Sequence, residues 1–190
     1  MSKIKGRQSS HDVHIGSGIR DAGCVDPGQT GAVDRWQLKT VANIVNLSTP
    51  LGLLVAAAGR ARLRPGPRGL VLASGYRLPV PSAPAFTIGN VVVSPRPPEH
   101  LDSRPALLAH EERHSWQYAV CLGLPMLPLY ALGAAWSYVR GGDAGVHNPF
   151  ERLAGLADGG YPLVSARERR RRVTAPAPPR RPTPADPTAP

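Results

Sequence analysis

Residues 106–118 read ALLAHEERHSWQY and contain the pattern H-E-x-x-H, with histidines at positions 110 and 114. In a helix, a spacing of four residues places both imidazoles on one face, one turn apart. Two histidines in this arrangement can bind one Zn²⁺ while Glu111 lies beside them as a general base. The stretch therefore predicts a metal site with His110 and His114 as ligands and Glu111 as the catalytic residue.

The pattern is rare in a chain of this composition. Six histidines and five glutamates in 190 residues give an expected frequency of roughly 0.005 occurrences per chain. The alternative is a solvent-facing charged helix whose histidines bind nothing. The other histidines at positions 11, 14 and 100 have no such spacing and are interpreted as incidental.

Two β-rich stretches precede this helix, at 69–77 and 86–94, and the Pro-rich link between them allows them to pair. The prolines after the second stretch end that strand. Asp102 or Ser103 is then expected to cap the metal-binding helix, whose first turn tolerates Pro105.

A second informative segment lies downstream, where residues 147–155 read HNPFERLAG. Glu151 has two interpretations. With Asn148 as N-cap and Pro149 at the first helical position, Glu151 can complete a capping box and bond the backbone of the cap. Alternatively it is a metal ligand, because two histidines alone leave a tetrahedral zinc with too few protein ligands.

The two segments together resemble the zincin metallopeptidase superfamily, in particular short bacterial zincins of the gluzincin kind, whose substrates are unknown. The resemblance covers about residues 86–161 and implies that Glu151 is the third ligand, carried by a second helix. This chain departs from the family at Gly155, where an Asp often supports a histidine ligand. Asp158, on the same helical face as Glu151, is the candidate to replace it.

The resemblance implies a zinc-dependent metallohydrolase, specifically a peptidase acting through a metal-activated water. It also implies an α+β fold: a mainly helical minimal zincin-like domain with a small β-hairpin or sheet. Three side chains are candidates to stabilise the transition state, namely Tyr118, Arg152 and Tyr161. His147 is the next candidate ligand, although a loop position explains it better.

Zincins commonly bind an extended peptide along a sheet edge next to the H-E-x-x-H helix. If 86–94 is that edge, its backbone would hold the substrate by strand addition, with Gly89 and Asn90 as a bulge or a point of close approach. An ordinary core strand is the alternative. Peptides or proteins are the expected substrates.

The composition divides the chain into three parts. Residues 1–32 are polar and Gly-rich, lack apolar periodicity and are expected to be poorly ordered. Residues 33–165 form the zincin-like metallopeptidase domain, long enough for one core of about 130 residues. Residues 166–190 form an Arg/Pro-rich tail that is expected to be disordered.

The net charge of +10 lies in two segments. The tail carries seven arginines against two acids, and residues 59–77 carry five arginines and no acid. A basic surface can bind nucleic acid or anionic lipid. Since no nucleic-acid-reading motif is present and aromatic residues make up only 5%, no specific nucleic acid partner is expected.

Two apolar stretches leave open whether the protein contacts a membrane. Leu38, Val41 and Val45 line one face of a helix over 34–47, and 41–59 is either a bilayer span or a helix-break-helix packed in the core. Residues 118–139 contain no charge and are long enough for a bilayer. Their two prolines suggest a kinked, re-entrant or helical-hairpin segment, or a buried bend.

These stretches suggest the alternative hypothesis that the protein is a non-enzymatic membrane-associated or partner-binding protein that retains an H-E-x-x-H scaffold. An anionic membrane surface is a possible partner under either hypothesis. The basic N-terminus lacks a following apolar region, so no signal peptide is expected, and the cytoplasm or the cytoplasmic face of a membrane is the expected location. Cys24 and Cys121 are interpreted as reduced thiols.

Overall fold

A four-stranded mixed sheet lies at the centre of the fold. The structure is a computed structural model and describes residues 34–79, 81 and 83–174. The strands are β1 (Arg62–Pro65), β2 (Val71–Ser74), β3 (Phe86–Ile88) and β4 (Val91–Ser94), in the spatial order β1-β2-β4-β3. β2 and β4 are parallel, and the other neighbouring pairs are antiparallel.

Seven α-helices occur within the described ranges. They are α1 (Arg35–Val45), α2 (Ser48–Ala58), α3 (Glu99–Asp102), α4 (Pro105–Val120), α5 (Met126–Gly141), α6 (Pro149–Ala154) and α7 (Ala166–Thr174). Together with the small sheet they confirm the predicted α+β class.

Strand β4 is the centre of the core because both of its faces are covered. Val92 packs with residues of α3 and α4, including Leu101 and Leu107. Val91 and Val93 point the other way and pack with Ala56 of α2. A continuous valine run suits a strand that is buried on both faces, and the helix that carries the two histidines lies directly on this sheet.

The stretch 86–94 is a hairpin and not the single strand that its composition predicted. β3 and β4 are joined by Gly89 and Asn90, and Ile88 pairs with Val91. Gly89 has a φ of +62°, and a Cβ on it would lie 2.4 Å from the backbone nitrogen of Thr49. The backbone at this glycine therefore approaches the start of α2 closely.

Strand β1 was not predicted. Its sequence, Arg-Leu-Arg-Pro, lacks buried positions, and three of its four residues are exposed. It forms one edge of the sheet by pairing with β2. Apolar alternation could not reveal it, because neither of its faces is buried.

Helices α1 and α2 form a helix-break-helix unit with a bend of 72°. The chain breaks at Asn46 and Leu47, and Leu47 adopts the left-handed conformation with φ +66°. Pro50 lies in the first turn of α2, where it breaks no helical hydrogen bond. Among the described helices none is by itself long and apolar enough to cross a bilayer, although α1 and α2 together pass that test of length and composition.

The apolar face that the sequence predicts on α1 does not lie in the core. Leu38, Val41 and Val45 are 58%, 58% and 74% exposed, whereas Lys39 and Asn43 are buried. Asn43 donates hydrogen bonds to Asn90 Oδ1 (2.9 Å) and to the carbonyl of Ser115 (2.8 Å). The helix therefore packs through hydrogen bonds and leaves its apolar side outside.

The uncharged run 118–139 contains the end of α4, a loop over 121–125 and most of α5. Pro125 caps α5 and Pro128 lies in its first turn, so both prolines start a helix and do not kink one. The segment is not a buried bend, since most large side chains of α5 are exposed.

The ends of two helices differ from expectation. α4 begins after Arg104, because Asp102 pairs with Arg64 (2.5 Å) and the Ser103 hydroxyl donates to the carbonyl of Glu99 (2.7 Å). Residues 166–174, assigned to the disordered tail, form helix α7. The N-terminal segment 1–32 and residues 175–190 lie outside the described residues.

Candidate metal centre

The site lies between α4 and the short helix α6. Asn148 caps α6, its Oδ1 accepting from the backbone nitrogen of Phe150 (3.1 Å), and Pro149 starts the first turn. Glu151 follows in that turn and faces α4. Gln117 of α4 donates from Nε2 to the carbonyl of Phe150 (2.9 Å), which ties the two helices together.

Three predicted ligands converge in the structure. His110 Nε2 lies 3.0 Å from His114 Nε2, and Glu151 Oε2 lies 3.2 Å and 3.5 Å from these two nitrogens. All three side chains are buried, and their candidate ligand atoms lie within 4.8 Å of one another. The group can hold a metal ion.

The tautomer of His110 follows from its other ring nitrogen. Nδ1 lies 2.9 Å from the carbonyl oxygen of Gly155 and 3.0 Å from that of Ala154. Carbonyl oxygens only accept, so Nδ1 carries the proton and Nε2 presents a lone pair to the site.

His114 is oriented in the same way by a side-chain amide. Its Nδ1 lies 2.8 Å from Gln117 Oε1, and the amide of Gln117 is oriented by the bond from its Nε2 to Phe150. His114 Nδ1 is therefore the donor, which leaves Nε2 as an acceptor. Burial alone would lower the pKa of His114, but the carboxylates of Glu151 and Glu111 outweigh burial and raise it.

Glu151 completes the set as an anion. Burial opposes its charge, yet the neighbouring imidazoles of His110 and His114 and the hydroxyl of Tyr130 outweigh burial and hold the pKa of Glu151 below the ordinary value. The Tyr130 hydroxyl donates to Oε1, whereas Oε2 is buried and accepts no hydrogen bond within the described part of the chain. Its carboxylate faces the histidines, and the backbone nitrogen of Asn148 donates to Gly145 instead (2.9 Å), so the capping-box alternative does not hold.

Three acceptor atoms that face one another can be bridged by a cation. A proton on one imidazole can be donated to one partner and leaves the third acceptor unpaired. A metal ion binds all three lone pairs at once, and each histidine already has the carbonyl or amide partner that orients metal-bound imidazoles. The chemistry of the donors therefore fits a metal ion.

Glu111 lies beside these three candidate ligands and lines the same cavity. Its Oε2 accepts from the hydroxyl of Thr87 on β3 (2.7 Å). Burial raises the pKa of Glu111 above its ordinary value, against the lowering effect of His114 and of the Thr87 hydrogen bond. A buried carboxyl with a raised pKa next to a metal-ligand cluster is suited to proton transfer.

A cavity of about 430 Å³ adjoins the group. Thr87, Glu111 and the three ligand residues supply its polar wall. Its other walls come from β3, the link before it, α2 and α5, and include Val55, Ala83, Phe86, Ile88, Met126 and Leu127. Any substrate that reaches the ligands must pass mainly apolar side chains.

Asp158 acts on His110 only through a neighbour. It pairs with Arg113 (2.6 Å), and Arg113 also donates to the carbonyl of Ala154 (2.5 Å), which His110 contacts. Direct support for His110 comes from the backbone carbonyl of Gly155. The carbonyl oxygen of Gly155, and not the carboxylate of Asp158, is therefore the group that contacts His110.

The remaining predicted residues divide into two groups. Tyr118 and Tyr161 line the cavity, and the ring of Tyr161 lies 6.0 Å from that of His110. Arg152 and His147 line surface depressions away from it. The structure thus brings the two tyrosines to the site and leaves Arg152 and His147 outside.

Three contributors were not predicted from sequence. Tyr130 sits inside the apolar run and was interpreted only as part of it. Gln117 lies three residues after His114, a spacing that could have indicated its contact. Thr87 had no local signal, since its contact with Glu111 spans 24 residues.

Glu112, the neighbour of the proposed base, faces the opposite side of α4. It pairs with Arg68, whose Nε lies 2.7 Å from Oε1, and with the buried Lys39 at 3.8 Å. The hydrogen bond from Arg68 lowers the pKa of Glu112, despite its burial. Adjacent glutamates thus occupy different environments, one in the cavity and one in an ion-pair cluster.

No protein-family model matches this chain, and no match occurs among curated proteins or solved structures. Functional inference therefore depends on the geometry of the site.

Proposed function

We propose that the protein is a zinc-dependent hydrolase of peptide bonds, with its centre at His110, His114 and Glu151. The observation that carries the proposal is the convergence of three acceptor atoms, two imidazole nitrogens and one buried carboxylate oxygen, with no donor between them among the described residues. Glu111 is adjacent and opens on the same cavity. This arrangement supports hydrolysis better than a purely structural role.

Zinc is the metal proposed for this donor set. Two histidines and one carboxylate are typical of catalytic zinc sites, which keep one position open. When bound, zinc acts as a Lewis acid and increases the acidity of water. The ligands come from only two helices, and the cavity provides the open side.

Glu111 acts as the general base and then as the general acid. Its carboxylate accepts a proton from the attacking water and returns it to the nitrogen of the leaving amine, so no net proton is consumed by the side chain. Thr87 holds Oε2 by its hydroxyl (2.7 Å) and leaves the other carboxylate oxygen to face the cavity. Tyr161 is the proposed donor to the carbonyl oxygen of the scissile bond.

The substrate is an extended peptide with an apolar side chain near the scissile bond. Strand β3 is an edge of the sheet, paired with β4 on one side only within the described residues. A peptide can add to its free side through main-chain hydrogen bonds. The apolar walls from α2, β3 and α5 would then select an uncharged side chain.

Metal analysis and two matched pairs of variants test the proposal. The purified full chain should contain about one zinc per chain, and His110→Ala should lose it while His147→Ala keeps it. Glu111→Gln should retain zinc and abolish cleavage of a library of fluorescence-quenched peptides. Glu112→Gln, at the neighbouring position outside the cavity, should retain both zinc and cleavage.

Two results would contradict the proposal. A chain prepared without chelators that holds no metal rules out the proposed centre, and one that holds iron in place of zinc rules out zinc as its metal. Cleavage that persists at the wild-type rate in Glu111→Gln would exclude this residue as the base and attribute the activity to another site.

A further inference from the structure

Helix α5 is oriented with its small residues inward. Its buried positions are Met126, Gly133, Ser137 and Gly141, the last three spaced four apart. A Cβ at Gly133 would lie 2.6 Å from Asn148 Oδ1, so only a glycine lets α5 approach the start of α6. Close packing through small residues is typical of helices whose large side chains face lipid.

The outward side of α5 carries large apolar and aromatic side chains over four turns. They are Leu127, Leu129, Leu132, Trp136, Tyr138 and Val139, all exposed. From residue 119 to residue 139 the chain has no charged side chain. An exposed apolar area of this length is rarely left to water in a soluble protein.

Two leucines extend this area at the near end of α5. The loop before α5 lies against the α1–α2 turn, where a Cβ at Gly123 would meet Asn46 at 2.5 Å. Next to this contact Leu47 and Leu122 are exposed, and both adopt positive φ values, +66° and +60°. The left-handed backbone conformation is sterically unfavourable for leucine. Leu47 and Leu122 therefore place apolar side chains at positions where Gly or Asn would be less strained.

The far end of α5 is strongly basic. Arg140 lies over the ring of Trp136, with its guanidinium carbon 5.8 Å from the ring centroid. Helix α7 packs beside this end, since Asp143 Oδ2 accepts from the backbone nitrogen of Ala166 (2.9 Å) and Arg167 donates to the carbonyl of Arg140 (3.3 Å). The five arginines of α7 are all exposed, and Glu168 is its single acid.

We propose that α5, the leucines at 47 and 122 and helix α7 form a surface, termed the lipid surface, that binds an anionic lipid bilayer. The apolar side chains enter the boundary between headgroups and acyl chains, Trp136 and Tyr138 lie at headgroup level, and α7 contacts anionic headgroups. Burial of apolar area and attraction of charge would act together, as binding of this kind requires.

Charge and shape favour lipid over other occupants. A nucleic acid would match the arginines of α7 but offers nothing to the exposed leucines of α5. A protein partner would need a matching apolar groove, whereas a bilayer accepts a convex helix that is exposed around most of its circumference. Tryptophan beside arginine at a helix end is also the pattern of membrane interfaces.

Vesicle co-sedimentation of the full chain tests the proposal. The protein should pellet with vesicles of phosphatidylcholine and phosphatidylserine, and less with phosphatidylcholine alone. A double variant, Leu132→Ser with Trp136→Ser, should weaken binding by about tenfold or more, because both side chains are largely exposed (68% and 57%) and would lose contact with the bilayer. Leu63→Ser on β1, at the sheet edge opposite β3, is the matched control and should bind like wild type.

The contribution of charge is tested by a second pair of substitutions. Arg170→Gln with Arg171→Gln should weaken binding to anionic vesicles by about fivefold per arginine and leave the weak binding to phosphatidylcholine unchanged. These substitutions change exposed residues only. They therefore still test lipid binding if the Leu132→Ser, Trp136→Ser variant fails to fold. Circular dichroism of each variant provides the folding control.

The proposal is overturned if wild type remains in the supernatant with anionic vesicles. It is equally overturned if the folded Leu132→Ser, Trp136→Ser variant binds them as wild type does. A dimer in sedimentation velocity that this variant dissociates, with no vesicle binding by either protein, would assign the surface to a second copy of the chain. None of these measurements depends on metal or on hydrolysis.

Discussion

Tyr130 illustrates how single side chains far apart in sequence complete the centre. Its hydroxyl donates to Glu151 Oε1, which orients the carboxylate so that Oε2 faces the histidines. Gln117 has the same effect on His114 through its amide oxygen (2.8 Å). Both residues hold a ligand in place and neither would need to touch the metal.

Tyr130→Phe should lower zinc affinity by about 10–100-fold, since removing a residue that hydrogen-bonds to a metal ligand typically has an effect of this size. The mutant loses one hydroxyl and leaves the ring packing intact. Competition against a chromogenic zinc chelator measures the affinity. Tyr138→Phe on the same helix is the control and should bind zinc as wild type does, because that side chain is exposed. Equal affinity in both variants would mean that the backbone alone orients Glu151.

Helix α1 shows how an element can pack by its polar side. Its buried Asn43 connects Asn90 at the β3–β4 turn with Ser115, the residue after His114 in α4. Asn90 in turn donates to the carbonyl of Thr40 (3.0 Å). This network holds helix α4 against the hairpin that carries Thr87, and therefore places Glu111 next to Thr87.

Asn43→Ala should destabilise the fold by about 1–3 kcal/mol, because it removes the buried hydrogen bonds to Asn90 Oδ1 and to the carbonyl of Ser115. Leu38→Ala, one turn away on the exposed face, should change stability by less than about 0.5 kcal/mol. Urea denaturation followed by circular dichroism measures both. A larger loss for Leu38→Ala than for Asn43→Ala would show that α1 buries its apolar face in solution.

At the scale of the whole molecule, the candidate metal centre joins distant parts of the chain. His110 and Glu151 are 41 positions apart, and the lipid surface on α5 lies between them in sequence. Leu127 belongs both to α5 and to the cavity wall. Under the two proposals, the cavity would therefore open next to the bilayer. Apolar peptide segments at the bilayer surface could then enter the cavity.

Metal removal should lower the thermal stability of the whole domain. A ligand that binds only the folded state adds about 2.7 kcal/mol at a free concentration one hundred times its Kd. In a chain of this size that corresponds to a loss of about 5–10 °C in Tm when a chelator removes the metal. Scanning calorimetry with and without EDTA measures the shift, and zinc should restore the original Tm. His110→Ala should show no response to the chelator, and an equal response in that variant would place the bound metal elsewhere.

The amino-acid sequence alone determined the local part of the site. The spacing of His110 and His114 places them on one helical face whatever surrounds the helix, and the Asn148-Pro149 start of α6 presents Glu151 in its first turn. Only tertiary structure decided which faces of α1 and α5 are buried and that Tyr130 and Thr87 reach the ligands and the base. The physical reason is that helical geometry depends on neighbours a few residues away, whereas burial depends on partners tens of residues distant. In helix α1, hydrogen bonds to residues distant in sequence keep Asn43 buried, whereas Leu38 finds no such partner among the described residues and stays exposed.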